Sequence, residues 1–204
     1  MEIGCARGGF LKKISKAGAK AEGLEMNSDA LLECKKEGLA VYPDSIETFS
    51  QKKGLYYDIV CSFQVLEHVP DVKSFLNASL AILKPGGLMI ISVPNNDSFI
   101  LRNGEILLDM PPHHMGLWNM NSLIKIQNHF PCEIQDIYIE PLQSYHVGFA
   151  RKYNQINLEA KLQKKLGKFK KLLIPFTDKI IDFSIRSNSE NMIGQTVLAV
   201  YQKK

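Results

Sequence analysis

Two near-continuous apolar runs, separated by one helical pattern, constrain the fold of this chain more than any other feature. The runs are "DIVCSF" at residues 58–63 and "LMIISV" at residues 88–93. Strands that are apolar on both faces are typical of parallel sheets, because helices cover both sides of such sheets. Between the runs, residues 72–83 have helical periodicity, and "KPGG" at 84–87 ends that helix and turns the chain into the next strand. The pattern therefore predicts a parallel sheet between helices.

The same alternation extends through the first 140 residues. Predicted strands are residues 1–4, 21–24, 39–42, 57–63, 88–93 and 133–140, and predicted helices are 9–18, 28–37, 72–83 and 121–129. Asn27 and Asp71 are suited to cap two of these helices, because their side chains accept hydrogen bonds from the first helical amides. The closing "GQTVLAVYQKK" alternates as a strand does. We therefore predict an α/β, doubly wound fold.

Residues 143–191 depart from this pattern and contain no convincing strand. Leucines and one phenylalanine lie on one arc of a helical wheel, and lysines lie opposite: Leu158, Leu162, Leu166, Phe169 and Leu173 against Lys161, Lys164, Lys165, Lys168 and Lys171. Such a pattern predicts an amphipathic helix, and Pro175 is expected to separate it from a second helix near 177–187. We predict a helical insertion at 143–191 within a sheet domain made of 1–142 and 192–204.

Charge and cysteine usage exclude several classes of protein. Residues 151–174 hold eight Lys or Arg and one acid, whereas the rest of the chain holds 17 basic and 20 acidic residues. The body is therefore mildly acidic, which argues against a general nucleic-acid-binding surface but leaves a local anionic partner open. The four cysteines are far apart with no CxxC pair, as expected of reduced thiols. No signal pattern and no membrane-spanning apolar run is present, so we predict a cytoplasmic protein.

A small-residue loop, "EIGCARGG" at residues 2–9, follows the first predicted strand. Gly4, Ala6 and Gly8 would let backbone N–H groups approach a ligand at the start of a helix. Alone, the loop fits a dinucleotide fingerprint loosely and equally fits a tight structural turn. Glu25 lies 21 residues beyond Gly4, at the end of the second predicted strand, where an acid binds ribose hydroxyls. The two features together indicate a nucleoside ligand.

From this point the chain resembles a known family, the class I S-adenosylmethionine-dependent methyltransferases. The resemblance runs in order through "EIGCARG", "GLEMN", "VYPDSIETF", "YYDIVCSFQVLEHVPD" and "LKPGGLMIISVPN". "LEHV" is similar to the branch that includes ubiquinone-biosynthesis and many small-molecule methyltransferases. The likeness covers about residues 1–140 and the last strand. It implies a Rossmann-like, mostly parallel seven-stranded sheet with an antiparallel last strand, and it argues against nicotinamide-dependent dehydrogenases.

The resemblance also implies roles for individual residues around S-adenosyl-L-methionine. In the loop, Glu2 would organise the turn and face the amino group of the cofactor, with Gly4, Cys5, Ala6 and Gly8 around it. Glu25, followed by Met26, would bind the ribose, and Asp44 and Ser45 would contact the adenine. Phe63, Gln64 and Val65 would border the methionine end. Ala6 replaces a glycine of the family motif, which is tolerable if its backbone φ is negative.

Three histidines are candidates for a general base. His68 lies in "LEH", just after the fourth strand, and His113 and His114 lie in "MPPHHMGLW". The latter segment resembles one in bacterial methyltransferases of glycan or secondary metabolism. The alternative for each histidine is a hydrogen-bonded structural role. We predict no metal, because Gln64 stands where relatives with an E-x-x-E-H motif have a carboxylate, and hard cations prefer charged oxygen ligands.

The resemblance implies methyl transfer by an SN2 reaction to a small-molecule or glycan-like acceptor, with O-methylation favoured. The alternative is a non-catalytic or truncated methyltransferase-like binding module, because family members usually carry a helical segment and most of the first strand before "EIG". The basic segment 151–174 has three interpretations: a lid over the acceptor pocket, which we favour, a binder of anionic groups, or a peripheral contact with an anionic membrane. A nucleic-acid partner is not expected, and the pattern does not indicate an oligomeric state.

Overall fold

The computed structural model describes residues 1–52, 54, 56–98, 110–141, 143, 148, 164, 181 and 193–204. Its strands are β1 (Glu2–Ile3), β2 (Glu22–Leu24), β3 (Ala40–Tyr42), β4 (Tyr57–Phe63), β5 (Leu83–Pro94), β6 (Cys132–Pro141) and β7 (Ile193–Lys203). Its helices are α1 (Gly9–Lys16), α2 (Ser28–Lys36), α3 (Ile46–Lys52), α4 (Val72–Ala81) and α5 (Met120–Ile126). The predicted insertion at 143–191, including the basic segment 151–174, lies almost wholly outside the described residues, so its helical and lid character stays a prediction.

The strands form one seven-stranded sheet in the order β3-β2-β1-β4-β5-β7-β6. The two-residue strand β1 is central, with Glu2 paired to Gly23 on one side and to Cys61 on the other. The pairs from β3 through β5 are parallel. The order in which strands are added to the sheet reverses beside β1, because β2 and β3 lie on one side of it and β4 and β5 on the other. The doubly wound α/β fold is therefore confirmed.

The last strand, β7, runs antiparallel to its neighbours. The N–H of Lys204 donates to the carbonyl of Pro131, which precedes β6, at 3.0 Å. The Gln202 side chain donates to the carbonyl of Gly86 in β5 at 3.1 Å. The end of β7 therefore meets the beginnings of both neighbouring strands, as antiparallel pairing requires.

Helix starts follow the predicted caps. The Asn27 side chain accepts hydrogen bonds from the amides of Asp29 and Ala30 at 3.0 Å each, and Asp71 accepts one from Ser74 at 3.0 Å. Both satisfy helix N–H groups that lack an intrahelical partner. Helix α3 was not predicted; it begins beyond Ser45, whose hydroxyl accepts from the amide of Thr48 at 3.2 Å.

Strand β5 begins five residues before its predicted start at Leu88. Leu83 pairs with Tyr57 and Leu88 pairs with Ile59, so four residues are inserted opposite one. The insertion is "KPGG" at 84–87, which makes a bulge within the strand and not the connection outside it that we predicted. Beyond the bulge, β5 pairs with β4 in regular register again. Residues 88–93 favour this pairing because they are apolar on both faces.

The chain divides into two compact units. One comprises Met1–Pro94, Leu108–Tyr138 and Val197–Lys204, and the other comprises Asn95–Leu107 and Ile139–Thr196. Within the second unit, the buried Asn95 donates its N–H to the carbonyl of Gln195 at 2.7 Å. Among the described residues, no helix is both long enough and apolar enough to cross a lipid bilayer.

The first unit contains two apolar cores. The larger joins the central strands to α3, α4 and α5, with fully buried Leu66, Leu76 and Leu83 at its centre. The smaller packs α1 and α2 on β3 and consists of Cys5, Leu11, Cys34 and Val41. Cores of this kind stabilise by roughly 1.5–3 kcal/mol for each fully buried large aliphatic side chain. The two cores hold the loop after β1 from both sides, which fixes the position of the candidate site.

Candidate functional site

Four backbone amides of the loop between β1 and α1 donate hydrogen bonds to other groups of the chain. The N–H groups of Gly4 and Cys5 both donate to the carbonyl of Leu24, at 2.8 and 3.0 Å, and the N–H of Gly8 donates to Cys5 at 2.8 Å. The N–H of Ala6 donates to Oε2 of Glu25 at 2.8 Å. Each of these four amides therefore has a partner within the chain, and their approach to a ligand stays a prediction.

This arrangement separates the loop from pyrophosphate-binding loops. A phosphate at a helix N-terminus is bound by free amides and a positive dipole end. Here the acidic side chain of Glu2 is buried beside the first turn of α1, where it accepts a hydrogen bond from the backbone of Leu11. A second anion at this position would be repelled by a carboxylate. The loop is thus suited to a ligand that is neutral or positively charged at its near end.

The carboxyl group of Glu2, just before the loop, is buried and only partly hydrogen-bonded. Only 6% of the surface of Glu2 is exposed, and among the described residues its Oε2 has no hydrogen-bond partner. Burial raises the pKa of Glu2 to about 7, and the positive N-terminal amino group of Met1 and the Leu11 hydrogen bond offset only part of this increase. A buried carboxylate with an unsatisfied oxygen is a strong attractor for a cation.

Ala6 has φ of +46°, in the left-handed region. The condition that its φ be negative is therefore not met, and the residue is strained where its counterpart in the family motif is glycine. The left-handed conformation costs a residue with a Cβ roughly 1–2 kcal/mol. The loop tolerates it because Glu25 holds the amide of Ala6 in place.

Ala6→Gly is therefore expected to raise the free energy of unfolding by up to about 1 kcal/mol, since the relief of strain exceeds the added freedom of glycine in the unfolded chain. Urea denaturation measures the change. The control is Ala17→Gly, because Ala17 has φ of −80° and no strain to relieve. Equal destabilisation by both substitutions would contradict the strain argument.

Glu25 stands at the mouth of a cavity of about 370 Å³. Its Oε1 accepts the N–H of Asn27 at 2.7 Å, while Oε2 holds Ala6. The carboxylate is thereby fixed in one orientation by two backbone amides. The lining residues come from the ends of β1, β2, β3 and β4 and from α3 and α4: Ile3, Gly4, Leu24, Glu25, Met26, Asp44, Ser45, Ile46, Glu47, Val65, His68, Val69, Pro70, Asp71 and Phe75. Ligands of open α/β sheets bind at this carboxyl edge.

The predicted ribose and adenine residues share this cavity. Met26 is 75% exposed beside Glu25 and offers an apolar side chain to a ligand. Asp44 is bound by Lys52 at 2.8 Å, so one of its oxygens has a partner within the chain. The hydroxyl of Ser45 caps α3. Their proximity supports one binding site, and the individual contacts remain a prediction.

The three residues predicted to border the methionine end separate in the structure. Val65 lines the 370 Å³ cavity, whereas Phe63 stacks edge-on against Phe10 at 5.0 Å and lines a second, apolar cavity of about 850 Å³. Gln64 is exposed with φ of +56°. The larger cavity is flanked by aromatic and aliphatic side chains and does not contain Glu25, so size alone does not identify the site.

The three predicted histidines form one cluster although 45 residues separate His68 from His113. The ring centroids are 5.0, 4.9 and 5.1 Å apart, and His113 stacks on His114 with a 14° interplanar angle. Nδ1 of His68 lies 2.7 Å from the carbonyl of His113. Since His68 also lines the 370 Å³ cavity, the cluster lies beside it.

Glu67 is a residue of this site that sequence analysis missed. It is 2% exposed, and its Oε2 has no hydrogen-bond partner among the described residues. Its Oε1 lies 3.9 Å from Nε2 of His68, and burial raises the pKa of its carboxyl group. The amides of Met115 and Gly116 bind its carbonyl at 2.7 and 3.1 Å. The available signal was an acid within the otherwise apolar "QVLEHV".

Comparison with known sequences agrees with this architecture. The family described as "Methyltransferase domain" matches residues 1–135. A ubiquinone biosynthesis O-methyltransferase of Shewanella sp. is 30% identical over 135 residues, which cover 61% of this chain and 56% of that protein. A protein with the same description from Pectobacterium carotovorum is 27% identical over 158 residues, covering 72% and 63%. The chain thus spans between half and two thirds of the length of these relatives.

Among solved structures, a SAM-dependent methyltransferase from Archaeoglobus fulgidus has the same fold. It matches with a TM-score of 0.64 at 18% identity, covering 99% of this chain and 84% of that one. At this identity the likeness concerns the fold. The seven-stranded sheet is therefore that of a known architecture.

Proposed function

Because the chain belongs to the class I S-adenosylmethionine-dependent methyltransferases, we propose that it transfers a methyl group from S-adenosyl-L-methionine to an oxygen of a small-molecule acceptor. The observation that carries the proposal is the pair of acids around the loop. Glu25 is held rigidly at the mouth of the cavity, and the buried Glu2 has an unsatisfied oxygen. One acid suits a ribose diol and the other suits an ammonium group.

The residues present fit the cofactor. Glu25 would hold the ribose, since a carboxylate accepts two hydroxyl hydrogen bonds at once. Asp44, Ser45 and Met26 would surround the adenine in the 370 Å³ cavity. Glu2 would neutralise the amino group, since charge pairing offsets the desolvation of both partners. The cofactor supplies an electrophilic methyl group on a positively charged sulfur.

The contribution of this chain to the reaction is mainly alignment. Holding the acceptor oxygen in line with the methyl group removes orientational entropy from the barrier. An acceptor hydroxyl must also lose its proton, and His68, His113 and His114 are the proton-accepting side chains beside the cavity. Their role as a base is part of the proposal and applies to rings that bind no metal ion.

Two relatives support the acceptor class, because both are described as O-methyltransferases of ubiquinone biosynthesis. We therefore propose a small aromatic or similar metabolite carrying a hydroxyl group. A glycan-like acceptor rests only on the "PPHH" resemblance and is the less supported form of the proposal. Calorimetric titration of S-adenosylmethionine, followed by transfer of a labelled methyl group to phenolic acceptors, tests both steps. Cofactor binding without any transfer would favour the alternative of a non-catalytic binding module, and absence of binding would overturn the proposal.

Cofactor binding is expected to release protons from Glu2. At pH 7 this carboxyl group, with a pKa near 7, is about half protonated, and a bound ammonium group lowers its pKa again. About half a proton should leave Glu2 for each cofactor bound at pH 7, and this contribution should fall as the pH rises, because fewer Glu2 carboxyl groups are protonated before binding. Calorimetry in buffers of different ionisation enthalpy measures this number. Glu2→Gln should abolish the release at saturating cofactor; unchanged release would assign the proton to another group.

A further inference from the structure

The histidine cluster brings three ligand-type nitrogens together. One ring nitrogen of each of His68, His113 and His114 lies within 4.8 Å of the other two. The side chains come from two separate segments, the 3₁₀ turn Leu66–His68 after β4 and the loop before α5. Two backbone hydrogen bonds from Met115 and Gly116 to the carbonyl of Glu67 tie these segments together. The convergence is therefore a property of the fold and not of one flexible side chain.

We propose that His68, His113 and His114 bind one divalent transition-metal ion of the zinc type. Neutral imidazoles suit Zn²⁺ and its neighbours, whereas Mg²⁺ and Ca²⁺ prefer oxygen ligands. Three protein ligands are the number found where a fourth position stays open to water or substrate. The site differs from a carboxylate-based magnesium site. Such a site is not expected here, because Gln64 stands where relatives have a carboxylate.

The orientation of His68 supports ligation. Its Nδ1 lies 2.7 Å from the carbonyl of His113, which favours a proton on Nδ1 and leaves the lone pair of Nε2 available. Metal-binding histidines are commonly fixed in this way, by a backbone carbonyl on the nitrogen that does not bind the metal. The same hydrogen bond holds the "PPHH" loop over His68.

Glu67 is the second observation that points to a cation. Its carboxylate is 2% exposed, its Oε2 has no hydrogen-bond partner among the described residues, and Oε1 lies 3.9 Å from Nε2 of His68. A buried carboxylate beside three imidazoles is compensated when a dication is bound between them.

The change in geometry needed for binding is small. Nitrogens bound to a tetrahedral zinc at 2.0–2.1 Å lie roughly 3.3 Å apart, so the imidazoles must approach one another by at most about 1.5 Å. His68 and His113 are exposed on the surface, and side-chain rotation provides this movement. The stacked pair His113 and His114 would separate slightly on binding.

Titration of the untagged protein with ZnCl₂ alone, by calorimetry, tests the site. We expect one ion per chain with a Kd in the micromolar range or below, and visible absorption bands of low-symmetry Co²⁺ when cobalt replaces zinc. His113→Ala and His114→Ala should each weaken binding by roughly 10–100-fold. His129→Ala is the matched control, because His129 is exposed and outside the cluster.

Several outcomes would overturn the metal site. They are binding below half an ion per chain, equal weakening by His129→Ala, or displacement of zinc by millimolar Mg²⁺. Circular dichroism verifies that each variant is folded, and His113→Gln with His114→Gln provides a second pair that keeps side-chain volume. The titration contains no S-adenosylmethionine, so it can fail while the proposed methyl transfer stands, and it can succeed if that activity is absent.

Discussion

Glu25→Ala is expected to weaken S-adenosylmethionine binding by roughly 100-fold. The substitution removes two interactions at once. Hydrogen bonds from a ribose diol to a charged carboxylate contribute roughly 1.5–3 kcal/mol, and the loss of Oε2 releases the amide of Ala6, which it binds at 2.8 Å. Because Ala6 is held in a strained conformation with φ of +46°, we expect the backbone of the loop to change conformation once that hydrogen bond is lost. Calorimetry at pH 7 measures the change in Kd.

Two controls separate these contributions. Glu25→Gln keeps the size of the side chain and one carbonyl oxygen that can accept the N–H of Ala6. It loses the negative charge and one acceptor oxygen, so an intermediate loss of affinity is expected. Glu33→Ala removes an equally charged side chain from α2 whose one ion-pair partner among the described residues is the exposed Arg7, and it should leave the Kd within about twofold. An unchanged Kd in Glu25→Ala would place the ribose elsewhere.

The sheet could be predicted because hydrophobic pattern and burial coincide in it. The runs 58–63 and 88–93 became neighbouring parallel strands of the same sheet, in which Val60, Met89 and Ile91 are almost fully buried. Asp58 and Ile59, at the start of the first run, are exposed. Helix α3 escaped prediction because its seven residues, "IETFSQK", carry too short a periodic pattern. The bulge at "KPGG" escaped because register depends on which strand lies alongside, and a single sequence does not encode that locally.

The grouping of some candidate-site residues was predictable from the sequence, but their contacts were not. Spacing alone placed Glu25 near the loop, and the structure joins it to Ala6. No pattern indicated that the loop amides bind Leu24, since that hydrogen bond links two strands. Likewise, His68 and His113 were separate candidates, and only the tertiary fold shows that they share one cluster with the buried Glu67.

Gly4→Ala is expected to lower the free energy of unfolding by roughly 2–5 kcal/mol. Gly4 has φ of +70°, where a Cβ costs about 1–2 kcal/mol. A Cβ at this position would also lie 2.6 Å from Cγ2 of Val65, and overpacking of this kind costs roughly 1–3 kcal/mol. Urea denaturation with an unchanged m-value measures the effect. Since Gly4 and Val65 both line the 370 Å³ cavity, cofactor affinity should fall as well.

Gly38→Ala is the matched control for Gly4→Ala. Gly38 has φ of +72°, but an added Cβ meets no atom within 4 Å, so this variant contains the backbone strain without the steric contact. It should lose no more than about 1–2 kcal/mol and keep wild-type cofactor affinity. Adding Val65→Ala to Gly4→Ala removes the clashing methyl groups, and the two changes should therefore be less than additive. If Gly4→Ala and Gly38→Ala lower the free energy of unfolding equally, the side chain of Val65 moves away from the new methyl group. Glycine would then be required at position 4 only for its backbone conformation.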